Sequence, residues 1–151
     1  MAAGRNKKEV VHQPGDCVSY RLRRAARKAA VYFDSALKPA GLRNTQFTLL
    51  SALDLLGAIS IGQLADELAT DSTTLNRNLA VLVRRKLVED ISAPDARVRN
   101  IRLTKQGRKV FAKALPLWQT AQVQVLDSIN AEQWLGMQSN LRKIEAACDT
   151  S

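Results

Sequence analysis

Residues 60–104 read SIGQLADELATDSTTLNRNLAVLVRRKLVEDISAPDARVRNIRLT, and this stretch decides the fold. Ser60 is a suitable N-cap for a helix over 61–68, whose apolar residues lie on one face. A polar turn over 69–71 is followed by a second helix over 72–86. The stretch therefore predicts two helices that are joined by a short turn and remain adjacent.

Two short strands are predicted after the second helix. Val88–Ser92 and Val98–Leu103 are rich in β-branched residues and flank the turn formers Ala93–Ala96. Two helices of this kind followed by a hairpin form a winged helix-turn-helix. The fold class predicted from the sequence is therefore mainly α, an α+β winged helix.

Further helices are predicted on both sides of this module. They run from Asp16, as N-cap, to Pro39, from Thr45 to Gly57, from Thr104 to about Ile129 with a kink at Pro116, and from Ala131 to Ala147. The chain then divides into a flexible basic arm (1–15), a winged helix-turn-helix domain (45–109) and a helical region (16–44 and 110–147). The long outer helices have apolar faces that need another surface to cover them.

Basic residues are concentrated in two blocks of the chain. The 151 residues include 23 Lys and Arg against 14 Asp and Glu, a net charge of +9. Residues 1–38 carry +6 and residues 72–109 carry +7, whereas residues 39–71 carry −3 and residues 110–151 carry −1. This distribution favours a polyanion as partner, with a generally basic surface as the plain alternative.

The helix over 72–86 separates its residues into two faces. The face predicted to be buried carries Leu75, Leu79 and Leu82. The opposite face carries Thr73, Arg77, Ala80 and Arg84, with Asn76 on the flank. We predict that Arg77 contacts a guanine edge in the major groove of double-stranded DNA and that Asn76 reaches an adenine edge.

The two ends of this helix offer further contacts. Ser72, Thr73 and Thr74 bring hydroxyl groups and free backbone N–H groups that suit phosphate oxygens or base edges. The alternatives are an N-cap role for Ser72 or Asp71 and plain surface positions for the threonines. Arg84 and the two cations after it can stabilise the helix dipole as well as bind DNA.

The predicted wing is basic at its tip. Arg97 lies at or near the tip and Arg99 follows it, so we predict that the wing inserts arginine into the minor groove. Asp95 could hold the Arg97 guanidinium in position. The alternative is a local ion pair that stabilises the turn by less than about 1 kcal/mol.

Several other classes of protein are excluded by the sequence. No run approaches the roughly 20 apolar residues of a membrane span, and the basic N-terminus has no apolar segment of a signal peptide. One histidine, His12, and two distant cysteines cannot form the usual structural zinc site. No phosphate loop or nucleophile motif is present, so we predict a cytoplasmic protein that is not an enzyme and has no metal or cofactor.

These residues resemble the MarR family of bacterial winged-helix regulators. The resemblance rests on Gln46-Phe47 with Leu49-Leu50, Leu64-Ala65 with Leu68, residues 72–79 (STTLNRNL), residues 85–88 (RKLV), Asp95-Ala96-Arg97 and residues 101–108 (IRLTKQGR). It extends over about residues 16–147. The D-x-R pattern followed by L-T-x-x-G is its most specific part.

The resemblance implies a homodimeric transcriptional regulator, more often a repressor, that binds a pseudo-palindromic DNA site with both subunits. The outer helices would then form the dimer interface through Val123, Leu126, Ile129, Trp134, Leu135, Leu141 and Ile144. It also implies release from DNA by a small, often phenolic, effector. Tyr20, Tyr32 and Trp118 could line the effector pocket, although a place in the helix core is the favoured role for each.

One branch of the family senses peroxides with a cysteine early in the first helix. Ser19 falls where that cysteine would be, and Cys17 is two residues away, on the other side of the helix. Cys17 near Arg21 could still be a reactive thiol, with Cys148 of another subunit as a partner. Two unreactive surface thiols are the alternative.

Overall fold

The computed structural model describes residues 14–91 and 98–149, which form six α-helices and a small antiparallel sheet. The helices are α1 (Val18–Leu37), α2 (Asn44–Leu56), α3 (Ile61–Glu67), α4 (Ser72–Arg84), α5 (Lys105–Leu126) and α6 (Ala131–Cys148). The strands are β1 (Ile59–Ser60), β2 (Val88–Ile91) and β3 (Asn100–Leu103). Short 3-10 turns, Pro14–Asp16 and Lys38–Ala40, precede and follow α1. Of the predicted arm, residues 1–13 lie outside the described residues.

The start of α1 differs from the prediction. Cys17, not Asp16, is the N-cap, and it makes no side-chain capping hydrogen bond. Asp16 instead ends the 3-10 turn, and its carboxylate accepts from Arg21 Nη2 at 3.2 Å. The extra turn moves the start of the helix along the chain, to Val18.

The sheet has the strand order β1-β3-β2, with every pairing antiparallel. Val88 pairs with Leu103 and Ile91 with Asn100, as a hairpin requires. β1 is not predicted from the sequence, and it pairs with the other edge of β3. Residues 98 and 99 precede β3 and do not belong to it.

The core is built from leucine and lies where the winged-helix module meets α1 and α5. α2 is central to it, because it packs against α1, α4, α5 and β3. Leu50, Leu64, Leu79, Leu82 and Ile101 are fully buried. Because the same cluster includes Leu37 from α1 and Phe111 from α5, the module and the outer helices share one core.

Two outer parts of the molecule remain uncovered. No residue of α6 is buried, and Leu135 on this helix is 63% exposed. In α1 the residues that are buried, Phe33 and Leu37, both lie in the last part of the helix, whereas Val18 is 54% exposed. No helix within the described ranges is both long enough and apolar enough to cross a bilayer.

Candidate nucleic-acid interface

α3 and the turn after it are fixed by hydrogen bonds at both ends of the helix. Ser60 Oγ accepts from the Gln63 N–H at 3.2 Å, so Ser60 is the N-cap that the sequence predicts. At the other end, Thr70 N–H donates to Ala65 O at 3.0 Å, and Ala69 has a positive φ of 45°. This is the Schellman arrangement, with alanine where glycine is usual.

The two faces of α4 match the sequence prediction. Leu75, Leu79 and Leu82 are at most 1% exposed and hold the helix on the core. Thr73, Arg77, Ala80 and Arg84 are exposed on the opposite face. Because the leucines fix the rotation of the helix about its axis, Arg77 lies on the solvent-exposed face.

Asp71 is the N-cap of α4. Its carboxylate Oδ1 accepts from Thr74 N–H at 2.8 Å. Hydrogen bonds from Thr74 hold the pKa of Asp71 below its usual value, so the carboxylate is charged. Ser72, Thr73 and Thr74 are all exposed around this terminus, as expected, but one of its N–H groups is already used.

The C-terminal end of α4 is a second Schellman turn. Leu87 N–H donates to Leu82 O at 2.9 Å, and Lys86 N–H donates to Val83 O at 2.8 Å. Lys86 adopts a positive φ of 58° to close the turn. Arg85, the C-cap, directs Nη1 to the carbonyl oxygen of Gly41 at 2.9 Å.

Arg99 connects the base of the wing to α4. Its guanidinium pairs with the Asp90 carboxylate through Nε, and through Nη2 at 3.0 Å. Nη1 donates to Asn76 Oδ1 at 3.2 Å, and Asn76 Nδ2 donates to Ser72 O at 2.8 Å. Asn76 and Arg99, both predicted to contact DNA, are thus brought together and are hydrogen-bonded within the protein.

Asp90 and Arg99 each stabilise the charged form of the other. The hydrogen bonds from Arg99 lower the pKa of Asp90, and the same contact raises the pKa of Arg99. Asp90 is not among the contacts predicted from the sequence. A signal is present, since Asp90 and Arg99 lie at the facing ends of two strands predicted to pair. Asp95 and Arg97, the other predicted wing residues, lie outside the described residues.

The junction of the wing with α5 is tightly packed. Thr104 is the N-cap of α5. Its hydroxyl accepts from Gly107 N–H at 2.9 Å and donates to Lys86 O at 2.7 Å. A Cβ on Gly107 would lie 2.0 Å from Leu87 O. The L-T-x-x-G pattern therefore fixes the end of α4 against the start of α5.

The three aromatic residues predicted to line an effector pocket do not meet in the chain. Tyr32 Oη donates to Gln124 Oε1 at 2.6 Å, and Tyr20 is 46% exposed elsewhere on α1. Trp118 stacks on Phe47, with ring centroids 5.6 Å apart. It lines an apolar cleft of about 280 Å³ with Phe47 and Leu68.

Both cysteines, Cys17 and Cys148, are exposed free thiols.

Comparison with known proteins agrees with this geometry. The sequence model of the MarR family matches residues 40–97. The HTH-type transcriptional regulator YxaD of Bacillus subtilis (strain 168) is 33% identical over 100 residues, 65% of this chain and 69% of YxaD. The transcriptional regulator MosR of M. tuberculosis, solved in complex with DNA, is 38% identical, with a TM-score of 0.78, over 89% of this chain and 99% of that one.

The chain belongs to the MarR family. A mutant of E. coli MarR, solved with operator DNA, has the same fold, with a TM-score of 0.78 over 84% of this chain and 92% of that one, at 22% identity. Membership confirms the predicted winged-helix fold and makes the chain a transcriptional regulator rather than an enzyme.

Proposed function

We propose that this MarR-family regulator binds duplex DNA sequence-specifically as a homodimer and represses transcription from that site. α4 would enter the major groove and the wing the minor groove. The observation that carries the proposal is the exposed face of α4, on which Arg77 is held outward by three buried leucines. The DNA-bound structures of MosR and of E. coli MarR support it.

The hydrogen bonds of the module refine the role of each predicted contact. Arg77 makes no hydrogen bond or ion pair within residues 14–91 and 98–149 and lies on the exposed face, so it is assigned to base contact. The charged carboxylate of Asp71 disfavours a phosphate at the start of α4, so the hydroxyls of Ser72, Thr73 and Thr74 are assigned to base edges. Arg84 is assigned to a phosphate, because it is exposed at the far end of the helix.

Dimer formation is supported by the apolar surface that a single chain leaves uncovered. Val18, Val123 and Leu135 are each more than half exposed, and they lie on α1, α5 and α6. Trp134, Leu141 and Ile144 are half-buried on α6. A second copy packed on these helices would bury this surface and place two α4 helices on one duplex.

The test of the proposal is selection of bound sequences from random duplexes. We expect enrichment of an inverted repeat. Arg77→Ala should then weaken binding to the enriched site by about 1–3 kcal/mol for each half-site and relax the preference at one position of each half-site. Arg142→Ala, which removes the same charge from exposed α6, is the matched control and should leave the preference unchanged.

The alternative function is sequence-tolerant DNA binding by a basic surface. It predicts no enriched repeat and a small, uniform loss for Arg77→Ala and Arg142→Ala alike. Either result would refute the sequence-specific proposal.

An effector site is proposed at the cleft beside Trp118. The cleft is apolar and lies between α2 and α5. A ligand bound there would change the orientation of the winged-helix module relative to the outer helices. Tyr20 and Tyr32 are not included, since they lie elsewhere. Titration with a phenolic acid should quench Trp118 fluorescence and release DNA, and a Trp118→Leu variant should retain DNA binding without this response.

Redox control through Cys17 is the remaining alternative for regulation, supported by the exposure of both thiols. It predicts that peroxide abolishes DNA binding and that Cys17→Ser prevents the loss. An unchanged affinity after peroxide treatment would exclude it.

A further inference from the structure

Arg85 connects the end of α4 to a part of the chain 44 residues earlier. Its Nη1 donates to Gly41 O at 2.9 Å and lies 3.5 Å from Gln46 Oε1. Gly41 ends the 3-10 turn after α1, and Gln46 lies in the first turn of α2. A single guanidinium therefore joins α4 to the corner between α1 and α2.

The acceptor side of this contact is held in place by its own hydrogen bonds. Gly41 has a φ of 67°, and its N–H donates to Lys38 O at 2.9 Å. The next residue, Leu42, is 3% exposed and anchors the corner in the core. Gln46 Oε1 also accepts from Arg43 N–H at 3.1 Å. The acceptors are thus presented by a rigid turn rather than by a free loop.

The donor side is fixed as well. Arg85 is the C-cap of α4, between the buried residues Leu82 and Leu87 of the Schellman turn. Its side chain is also exposed but donates to Gly41 O, whereas Arg77 and Arg84 lie on the face opposite the buried leucines. The sequence alone groups Arg85 with Arg84 as a cation for the helix dipole or DNA, and the structure separates the two.

We propose that Arg85 is a positioning residue: it fixes the orientation of α4 relative to α1 and does not itself contact DNA. The proposal rests on the proposed DNA-binding function. α1 belongs to the proposed dimer interface, so its position affects the distance between the α4 helices of the two copies. The contact of Arg85 with Gly41 then makes the orientation of each α4 depend on the position of α1. A displacement of α1 would then be transmitted to α4 through Gly41 and Arg85.

The test compares Arg85→Met with Arg84→Met, a neighbouring substitution that removes the same charge. Among the described residues, Arg84 makes no hydrogen bond that the substitution would break. Affinity for the enriched duplex is measured at several salt concentrations. Arg85→Met should weaken binding about tenfold at each salt concentration and leave the slope of log K against log salt unchanged. Arg84→Met should reduce the slope by about 1.8, because it removes one phosphate contact in each of the two subunits. Arg85→Lys, which can still donate to Gly41 O, should recover part of the lost affinity.

Amide hydrogen exchange of the DNA-free protein gives an independent measurement. Leu42 and Asn44 should exchange faster in Arg85→Met than in Arg84→Met or wild type. Three results would overturn the proposal: a slope reduced in Arg85→Met as in Arg84→Met, an unchanged affinity, or unchanged exchange. If wild type binds no duplex, the proposed function fails, while the exchange result still tests the connection between α4 and α1.

Discussion

Gly107 lies where the first turn of α5 passes the end of α4. A methyl group there would meet Leu87 O at 2.0 Å and Leu103 Cδ2 at 3.3 Å. The carbonyl belongs to the backbone and cannot move without breaking its hydrogen bond from Thr104 N–H. Glycine is therefore required by the close approach of two backbones.

We expect Gly107→Ala to lower the free energy of unfolding by at least about 2 kcal/mol, because the added methyl overpacks this junction. Urea denaturation measures the change. Gly136→Ala is the control, since nothing lies within 4 Å of a Cβ on Gly136 in α6, and it should stabilise the protein by up to about 1 kcal/mol. Equal midpoints for the two variants would contradict the close approach at Gly107.

The Asp90–Arg99 pair gives a pH dependence with a definite sign. Because the pKa of Asp90 is lowered in the folded protein, the pair contributes fully above about pH 4 and is lost as the pH falls through the lowered value. The side chains are 45% and 46% exposed, so the contribution is below about 1 kcal/mol. NMR titration of the Asp90 carboxyl should give a pKa that rises in Arg99→Met, and an identical pKa in both proteins would refute the pairing.

At the scale of the elements, the helix ends show what sequence patterns omit. α3 and α4 end at Glu67 and Arg84, within about two residues of the predicted ends. Both end in Schellman turns, but Ala69 and Lys86 occupy the left-handed positions. Glycine is the usual sequence signal for such a turn, so neither could be recognised from its residue type.

Lys86 should be strained for this reason. We expect Lys86→Gly to stabilise the protein by about 1 kcal/mol, because a non-glycine residue adopts the left-handed conformation at a cost of that order. Lys86→Ala removes the charge but keeps the unfavourable conformation, and it should not stabilise the protein. Thermal unfolding separates the two, and equal melting temperatures for both variants would exclude a conformational origin.

The sheet and the start of α1 were only partly predictable. The hairpin followed from β-branched residues around a turn, whereas β1 has two residues, too few to show any alternation. Asp16 has the residue type of an N-cap, but its contact with Arg21 and the preceding 3-10 turn make Cys17 the cap. Such choices depend on competing local hydrogen bonds of similar energy.

At the scale of the whole molecule, the candidate interface was predictable where it depends on helix periodicity. The spacing of Leu75, Leu79 and Leu82 was sufficient to predict that Arg77 is exposed. The contacts of Arg99 with Asn76 and of Arg85 with Gly41 join residues 23 and 44 apart, and no local pattern encodes them. For the same reason, sequence alone could not show that Tyr20, Tyr32 and Trp118 lie apart.

The proposed dimer predicts a sharp effect of charge on α6. Leu135→Glu places a carboxylate in surface that a second copy should bury, so it should shift the protein toward monomer by several kcal/mol. Asn140→Glu adds the same charge to an exposed polar position of the same helix and should leave the dimer intact. Sedimentation equilibrium measures both, and a monomeric wild type would refute the dimer.

The uncovered α6 also bears on how long each copy of the protein survives. A helix with no buried residue opens readily in an isolated chain and exposes its backbone to proteases. In the proposed dimer, pairing would stabilise it by a free energy that rises with the logarithm of the concentration of other copies. At low concentration the protein should therefore be cleaved first in α6. Its degradation should slow as its concentration rises.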